Sequence, residues 1–326
     1  MRALEPWILP AIGLTVLNYG ACEALRPITG LRGHIDLIST VASIGVFLEV
    51  GFIFLFAFVI RLALQGVEHP IARLRVCLTP MRIVSFVTLA VVANLNLSVL
   101  GEVKSQLNQL VGFSADASLA NIDRAIFLGT DPWRALVWLD HPYLAEAYHF
   151  GWIIWVTAAL IYVGVQAPNR RKDVLLTAYF TLWTLGPLIH FLSPAAGPLF
   201  FDQLGLGARF TAIPEPPHTQ FIENYLWHGY QTRTINYAGG ISAMPSLHIA
   251  TMVWAAIVFY RTRAFPLAIG LALYIFAASI VTGWHYASDG IAGAVLALAT
   301  YQVCRRVFFA SWSVRLSTNR ERNSVR

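Results

Sequence analysis

Apolar residues in this chain fall in blocks rather than at the period of a surface helix or strand. Eight blocks cover roughly 7–24, 40–62, 82–101, 143–166, 173–192, 246–262, 266–283 and 286–304. Each is close to the roughly 20 residues needed to cross about 30 Å of hydrocarbon. A soluble core has no use for eight such blocks, so each predicts a membrane-spanning helix. The expected fold class is all-α, a polytopic transmembrane bundle. Two N-terminal spans (1–80) precede a six-span block (81–308), and a basic tail follows (309–326). The first block comes after Arg2 and shows no small-x-small cleavage pattern, so it reads as a span rather than a removable leader.

The connections are short except for two, at about 102–142 and 193–245. Within the first, Leu119 to Leu139 mixes aromatic, aliphatic and charged residues and reads as short amphipathic helices on a membrane surface. In the second, residues 193–220 are rich in Pro and Gly and read as loop. Both fit a structural cap and a lid over a site equally well.

Composition agrees with this picture. The chain has 326 residues, 57% of them hydrophobic and 12% charged, against about 25% charged in a soluble domain. The net charge is +6, but the positions of the charges matter more than the sum. With the N-terminus placed inside, Arg2, Arg61, Arg73, Arg75, Arg82, Arg170, Arg171, Lys172, Arg261, Arg263 and the tail arginines all fall on the inner side. Only Arg26, Arg32, Lys104, Arg124, Arg134, Arg209 and Arg233 fall outside. Lys and Arg concentrate on the cytoplasmic side of membrane proteins, so both termini are expected inside and both long connections outside. The basic residues are not interleaved with aromatics as a nucleic-acid groove requires, so no nucleic-acid partner is expected. Three scattered cysteines, Cys22, Cys77 and Cys304, exclude a disulfide scaffold and a cysteine zinc site.

This topology brings most of the span-embedded ionisable residues to one level. Glu146 and His149 sit near the outer end of the fourth span and His190 near that of the fifth. His248 opens the sixth, and His285 and Asp289 open the eighth. Ionisable groups cost about 2.5–3.5 kcal/mol each at mid-bilayer and usually mark function. Glu49 is the exception, near the middle of the second span. It reads either as a Glu hydrogen-bonded inside the bundle or as a relay, and the relay would suit a transporter or flippase.

Two motifs carry chemistry. Met244-Pro245-Ser246-Leu247-His248 precedes an apolar helix. Pro245 suits a helix start, and the unpartnered first-turn amides favour an anion. His248 and Ser246 then lie beside phosphate-binding N–H groups. The second motif is His285-Tyr286-Ala287-Ser288-Asp289-Gly290. His285 and Asp289, four apart, share a helix face. The carboxylate can hold one ring nitrogen as N–H and leave the other free to attack. Either motif alone is more often a satisfied polar pair. Placed at one membrane face, the two together offer a nucleophile backed by a carboxylate and a separate acid. Two His and an Asp could also ligate a metal, with His149, His190 and Glu146 nearby.

The pair resembles the second and third signature motifs of the type-2 phosphatidic acid phosphatase superfamily of membrane lipid phosphatases and phosphotransferases. Leu247 within Pro-Ser-Leu-His, the segment Ile122 to Pro132 and the segment Ser193 to Pro198 are similar to its inositol phosphorylceramide synthase branch. The resemblance covers about residues 80–305. It implies a phosphohistidine on His285, with Asp289 orienting that ring, His248 protonating the leaving oxygen, and no metal or other cofactor. It also implies a lipid phosphate or phospholipid substrate. Tyr286 and Ser246 would contribute to the substrate site. The basic first motif of the phosphatases is missing: Arg26-Pro27 lacks its Lys and sits on the wrong span. Ser279 follows Ala278 where the family has Ser-Arg. Another cation must meet the phosphate oxygens. Arg233, 15 residues before His248, is the first candidate; Lys104 and Arg124 follow.

Overall fold

The computed structural model describes residues 4–324; Arg2 and the last two residues of the basic tail lie outside that range. Among the described residues no strand forms, and Arg32 and Thr234 make an isolated parallel bridge. The described residues form twelve α-helices in order: α1 (Ile8–Thr29), α2 (Leu37–Leu64), α3 (Pro70–Cys77), α4 (Pro80–Val111), α5 (Asp116–Ile126), α6 (Pro132–Leu136), α7 (Leu144–Gly164), α8 (Arg170–Leu192), α9 (Pro217–Thr232), α10 (Leu247–Phe259), α11 (Phe265–Val281) and α12 (Ala287–Ser324).

All eight expected spans are helices. Six are long and apolar enough to cross a membrane, and α10 and α11 are shorter apolar helices of the same bundle. This is an integral multi-pass membrane protein. Helices satisfy every backbone group internally, which hydrocarbon demands. Exposed Phe52, Ile53, Ile154, Leu188, Leu273 and Val295 fit that solvent.

Side-chain polarity decides which helices pack centrally. α8 is buried along most of its length and touches α1, α4, α10 and α12. α1 is tied into this centre rather than standing apart with α2. Asn18 donates to Thr184 Oγ1 at 3.1 Å, Asn96 donates to Thr15 Oγ1 at 3.1 Å, and Trp7 stacks on Phe180. α2 packs on α4 and buries only Thr40, Phe47 and Gly51. The side chain of Glu49 is therefore exposed on the outside of the bundle, neither bonded within it nor part of an internal relay.

At one end of the bundle Lys172 is fully buried. It pairs with Glu5 at 2.9 Å and donates to Ser85 Oγ and to the Gly164 and Gln166 carbonyls. At the same end Arg171 donates to the Ile257 and Val258 carbonyls at the close of α10.

The opposite end carries the site, and there the helix limits differ from expectation. α4 runs on to Val111 instead of stopping near residue 101. Lys104 is therefore a helical residue and not part of a loop. The first connection forms α5, α6 and a 3-10 turn at Val137–Leu139, as its amphipathic pattern predicts. The second holds a 3-10 turn at Pro198–Phe200, inside the Pro- and Gly-rich stretch expected to be loop, and the 16-residue α9, most of which lies beyond that stretch. α12 continues through Ser324, so the tail begins as helix.

Candidate functional site

The two motifs meet where α10 and α12 start. Ser246, not Pro245, is the N-cap of α10, and its Oγ accepts from Ile249 N at 3.3 Å. This places His248 in the first helical turn. The Ser246 amide donates to the Asp289 carbonyl at 3.0 Å, which joins the motifs through the backbone. The helices can approach this closely because position 293 is Gly. A Cβ there would collide with the Ser246 carbonyl.

His285 is 4% exposed. Its Nδ1 lies 3.0 Å from the Ala243 carbonyl and 3.7 Å from Asp289 Oδ2. A carbonyl can only accept, so this contact makes Nδ1 the protonated nitrogen. The carbonyl, rather than the carboxylate as the sequence suggests, is the nearer partner that sets the tautomer. Asp289 stands behind it, fully buried, and accepts from Tyr286 N at 2.8 Å. The second ring nitrogen of His285, Nε2, keeps its lone pair and faces His248 Nδ1 at 3.4 Å. The His248 ring is held edge-on by Trp152, with centroids 4.3 Å apart, and lies against Tyr148. One imidazole with a free lone pair and a second able to carry a proton are the parts of nucleophilic and acid/base catalysis.

The loops grip the α12 motif with two carboxylates that the sequence reading did not single out. Asp123 of α5 accepts from Ala287 N at 2.5 Å and Ser288 N at 2.9 Å, and so caps α12. Asp116 accepts from Ala196 N at 2.9 Å, Gly197 N at 2.8 Å and the Tyr286 hydroxyl at 3.0 Å. Burial raises the Asp116 carboxyl above the usual carboxylate range, against those three bonds, which pull it down. The only signal in the sequence was that Asp123 and Asp131 belong to the segment resembling the synthase branch. Arg209 completes the clamp: it pairs with Asp131 and donates to Asn121 Oδ1 and the Ala120 carbonyl.

Both imidazoles open into a cavity of about 510 Å³. This volume is within the range of small-molecule sites, roughly 300–1,000 Å³. Its walls are largely aromatic and aliphatic, including Trp152, Trp183, Phe200, Phe221 and Trp284. The cavity also takes in His149 and, from α4, Lys104. Ser43 of α2 and Tyr237, which also line it, bond through their hydroxyls.

The structure sorts the remaining expected site residues. Arg233 is exposed at the C-terminus of α9, its carbonyl taking Arg32 N at 2.8 Å, and it is not part of the cavity wall. Arg124 is exposed, and its Nε donates to the Gly129 carbonyl at 2.8 Å. Among the described residues, Lys104 is the one Lys or Arg that lines the cavity bordered by both histidines. Ser246 is fully buried and used as a cap, and Tyr286 points to Asp116, so neither lines the cavity. His190 is buried beside Asn108, 3.3 Å away, outside the cavity wall. Among the described residues, no three His, Cys, Asp or Glu side chains converge as metal ligands would.

The fold and the site define a class: polytopic membrane proteins with a histidine pair at one end of the bundle, bordering an apolar cavity. The family follows from comparison. The model described as PAP2 superfamily matches residues 117–303, and the chain belongs to that superfamily, a family of membrane phosphatases and phosphotransferases. No curated protein and no solved structure gave a significant match. The matched stretch begins after α4, so Lys104 lies outside it.

Proposed function

We propose that this chain transfers a phosphoryl or phospho-headgroup on a lipid through a phosphohistidine at His285. One observation carries the reading. His285, tautomerically poised by the Ala243 carbonyl, meets His248 and Lys104 in the wall of a single apolar cavity.

His285 Nε2 attacks phosphorus and displaces the lipid or headgroup oxygen, and His248 protonates that oxygen as it leaves. Asp289 and the Ala243 carbonyl stabilise the charge that grows on the imidazole. Lys104 meets the equatorial phosphoryl oxygens in place of the missing basic motif, and such charge stabilisation is a large term in phosphoryl transfer. In the second half-reaction His248 takes a proton from the acceptor, which attacks the phosphohistidine. With water as acceptor the enzyme is a lipid phosphatase; with an alcohol it is a headgroup transferase. The apolar, aromatic cavity suits a lipid phosphate or phospholipid. The segments Ile122 to Pro132 and Ser193 to Pro198, similar to the inositol phosphorylceramide synthase branch, favour an inositolphosphotransferase-like reaction. The distribution of Lys and Arg supports an extracytoplasmic site with both termini inside.

The test is turnover of a panel of lipid phosphates and phospholipids by purified wild type and His285→Ala, in detergent with a chelator present. The reading expects turnover by wild type and none by the variant, and the product separates phosphatase from transferase. Undiminished turnover by His285→Ala, or turnover only with an added divalent metal, contradicts it.

A further inference from the structure

A second cavity, of about 450 Å³, lies outside the matched family region, between α1, α2 and α4. It exists because α1 and α2 both pack on α4 and scarcely on each other. α4 is the wall between the two cavities. Leu97, Leu100, Gly101 and Lys104 face the catalytic one, and Leu95, Val99 and Glu102 face the other.

The second cavity is amphipathic. Val16, Leu95 and Val99 line its apolar part, and Val16, Tyr19 and Leu37 leave it open toward the membrane side of the bundle. At the polar end stand Glu23, Arg26, His34 and Glu102. The Arg26 guanidinium is already occupied: it donates to the Gly33 carbonyl at 2.5 Å, to Glu23 and to Glu102. Glu102 is fully buried, and while one oxygen meets Arg26, its Oε2 has no hydrogen-bond partner. Leaving a buried charged acceptor unpaired costs free energy that a donor would recover. Two carboxylates face one guanidinium whose hydrogens are already taken, with the exposed His34 imidazole beside them, so the end holds more acceptors than charged donors. The two carboxylates repel an anion, whereas an ammonium meets a carboxylate oxygen that has no partner in the protein.

We propose that this cavity is a binding site for a single-chain amphiphile with an ammonium headgroup. The chain lies along Val16, Leu95 and Val99, and the ammonium meets Glu102 and Glu23. The site is independent of the phosphoryl-transfer reading and needs no catalysis.

The experiment is photolabelling of the full-length protein in detergent with a long-chain alkylamine carrying a mid-chain diazirine. Matched long-chain alcohol, long-chain carboxylic acid and short-chain amine serve as competitors. Saturable labelling of peptides from α1 or α4 is expected, displaced at least tenfold better by the long-chain amine than by the acid, the alcohol or the short amine. Glu102→Gln should weaken labelling by about tenfold. Val99→Trp, which fills the cavity while keeping the charges, should abolish it, and His285→Ala should leave it unchanged. Non-saturable labelling, equal displacement by acid or alcohol, or labelling indifferent to both Glu102→Gln and Val99→Trp would overturn the proposal. Displacement by the short amine as well as by the long one would reduce the site to a free-ammonium pocket and overturn the amphiphile assignment.

Discussion

Two lysines lie within the bundle, at opposite ends, and their surroundings differ. Lys172 is sealed by Glu5, Ser85 and two carbonyls, so each ammonium hydrogen has an acceptor in the protein. Lys104 borders the 510 Å³ cavity that His248 and His285 also line, and none of the observed hydrogen bonds or ion pairs engages it. The first holds the N-terminal segment against α8 and has nothing left to offer a ligand. The second has no such partners, and in the proposed reaction its donors meet the phosphoryl oxygens. A buried cation with all its partners is architecture; one facing a cavity is available for chemistry.

This contrast can be broken by substitution. Lys172→Met should cost about 3–5 kcal/mol of stability, because removing one member of a buried pair strands the other. Activity per folded molecule should be retained, which thermal unfolding and specific activity together would show. Lys104→Met should do the reverse, lowering turnover by about 10²–10³-fold, the usual loss when one donor to a developing anion is removed, with little change in the unfolding midpoint. If Lys104→Met unfolds the protein while Lys172→Met inactivates it, the two assignments are exchanged.

A smaller effect is expected at the clamp. Asp123→Asn keeps the shape of the cap on α12 but weakens its charge-assisted bonds to Ala287 N and Ser288 N. A loss of about 1–3 kcal/mol in stability and a drop in kcat near tenfold, with KM little changed, would mark it as a positioning residue. Arg233→Ala should change neither turnover nor stability beyond about 0.5 kcal/mol, the usual range for exposed sites. A large loss of turnover there would restore Arg233 as the phosphate cation.

The smallest effect is one of pH. Burial, with Glu215 adding to it, pushes the Glu223 carboxyl on α9 up to about 7 from its ordinary 4.5. Between those values the folded state holds a proton that the unfolded state has released, so stability falls as pH rises through this window. Hydrogen exchange of α9 should therefore quicken from pH 5 to pH 8, and Glu223→Gln should flatten the dependence. A rate constant with pH, after correction for intrinsic exchange, would contradict this.

The spans were legible because blocks of about 20 apolar residues have few alternative folds. The histidine motifs were legible because each is a short local pattern, even though the nearer partners of the His285 ring come from elsewhere in the chain. What sequence missed depends on contacts between distant segments. Glu102 and Lys104 end the apolar run after residue 101, where the hydropathy pattern alone predicts the helix to stop. In the fold Arg26 pairs with Glu102 and the cavity receives Lys104, so the helix continues. Arg233 looked well placed by its distance along the chain to His248, but α9 carries it to the exposed rim. The tautomer of His285 depends on the carbonyl of Ala243, 42 residues away in the chain, which no i,i+4 pattern reveals. α9 went unseen because its own sequence, PHTQFIENYLWHGYQT, has neither the apolar content of a span nor an N-cap side chain.

The central claim is the covalent step, and trapping it is the most direct test. Wild type would be mixed with a lipid phosphate carrying a labelled phosphoryl group, quenched within milliseconds in alkali and digested for mass spectrometry. The account predicts an acid-labile, alkali-stable phosphoryl group on the peptide containing His285, absent from His285→Ala and formed more slowly by Lys104→Met. Turnover with no such adduct at any quench time, or an adduct on His248 instead, would contradict it.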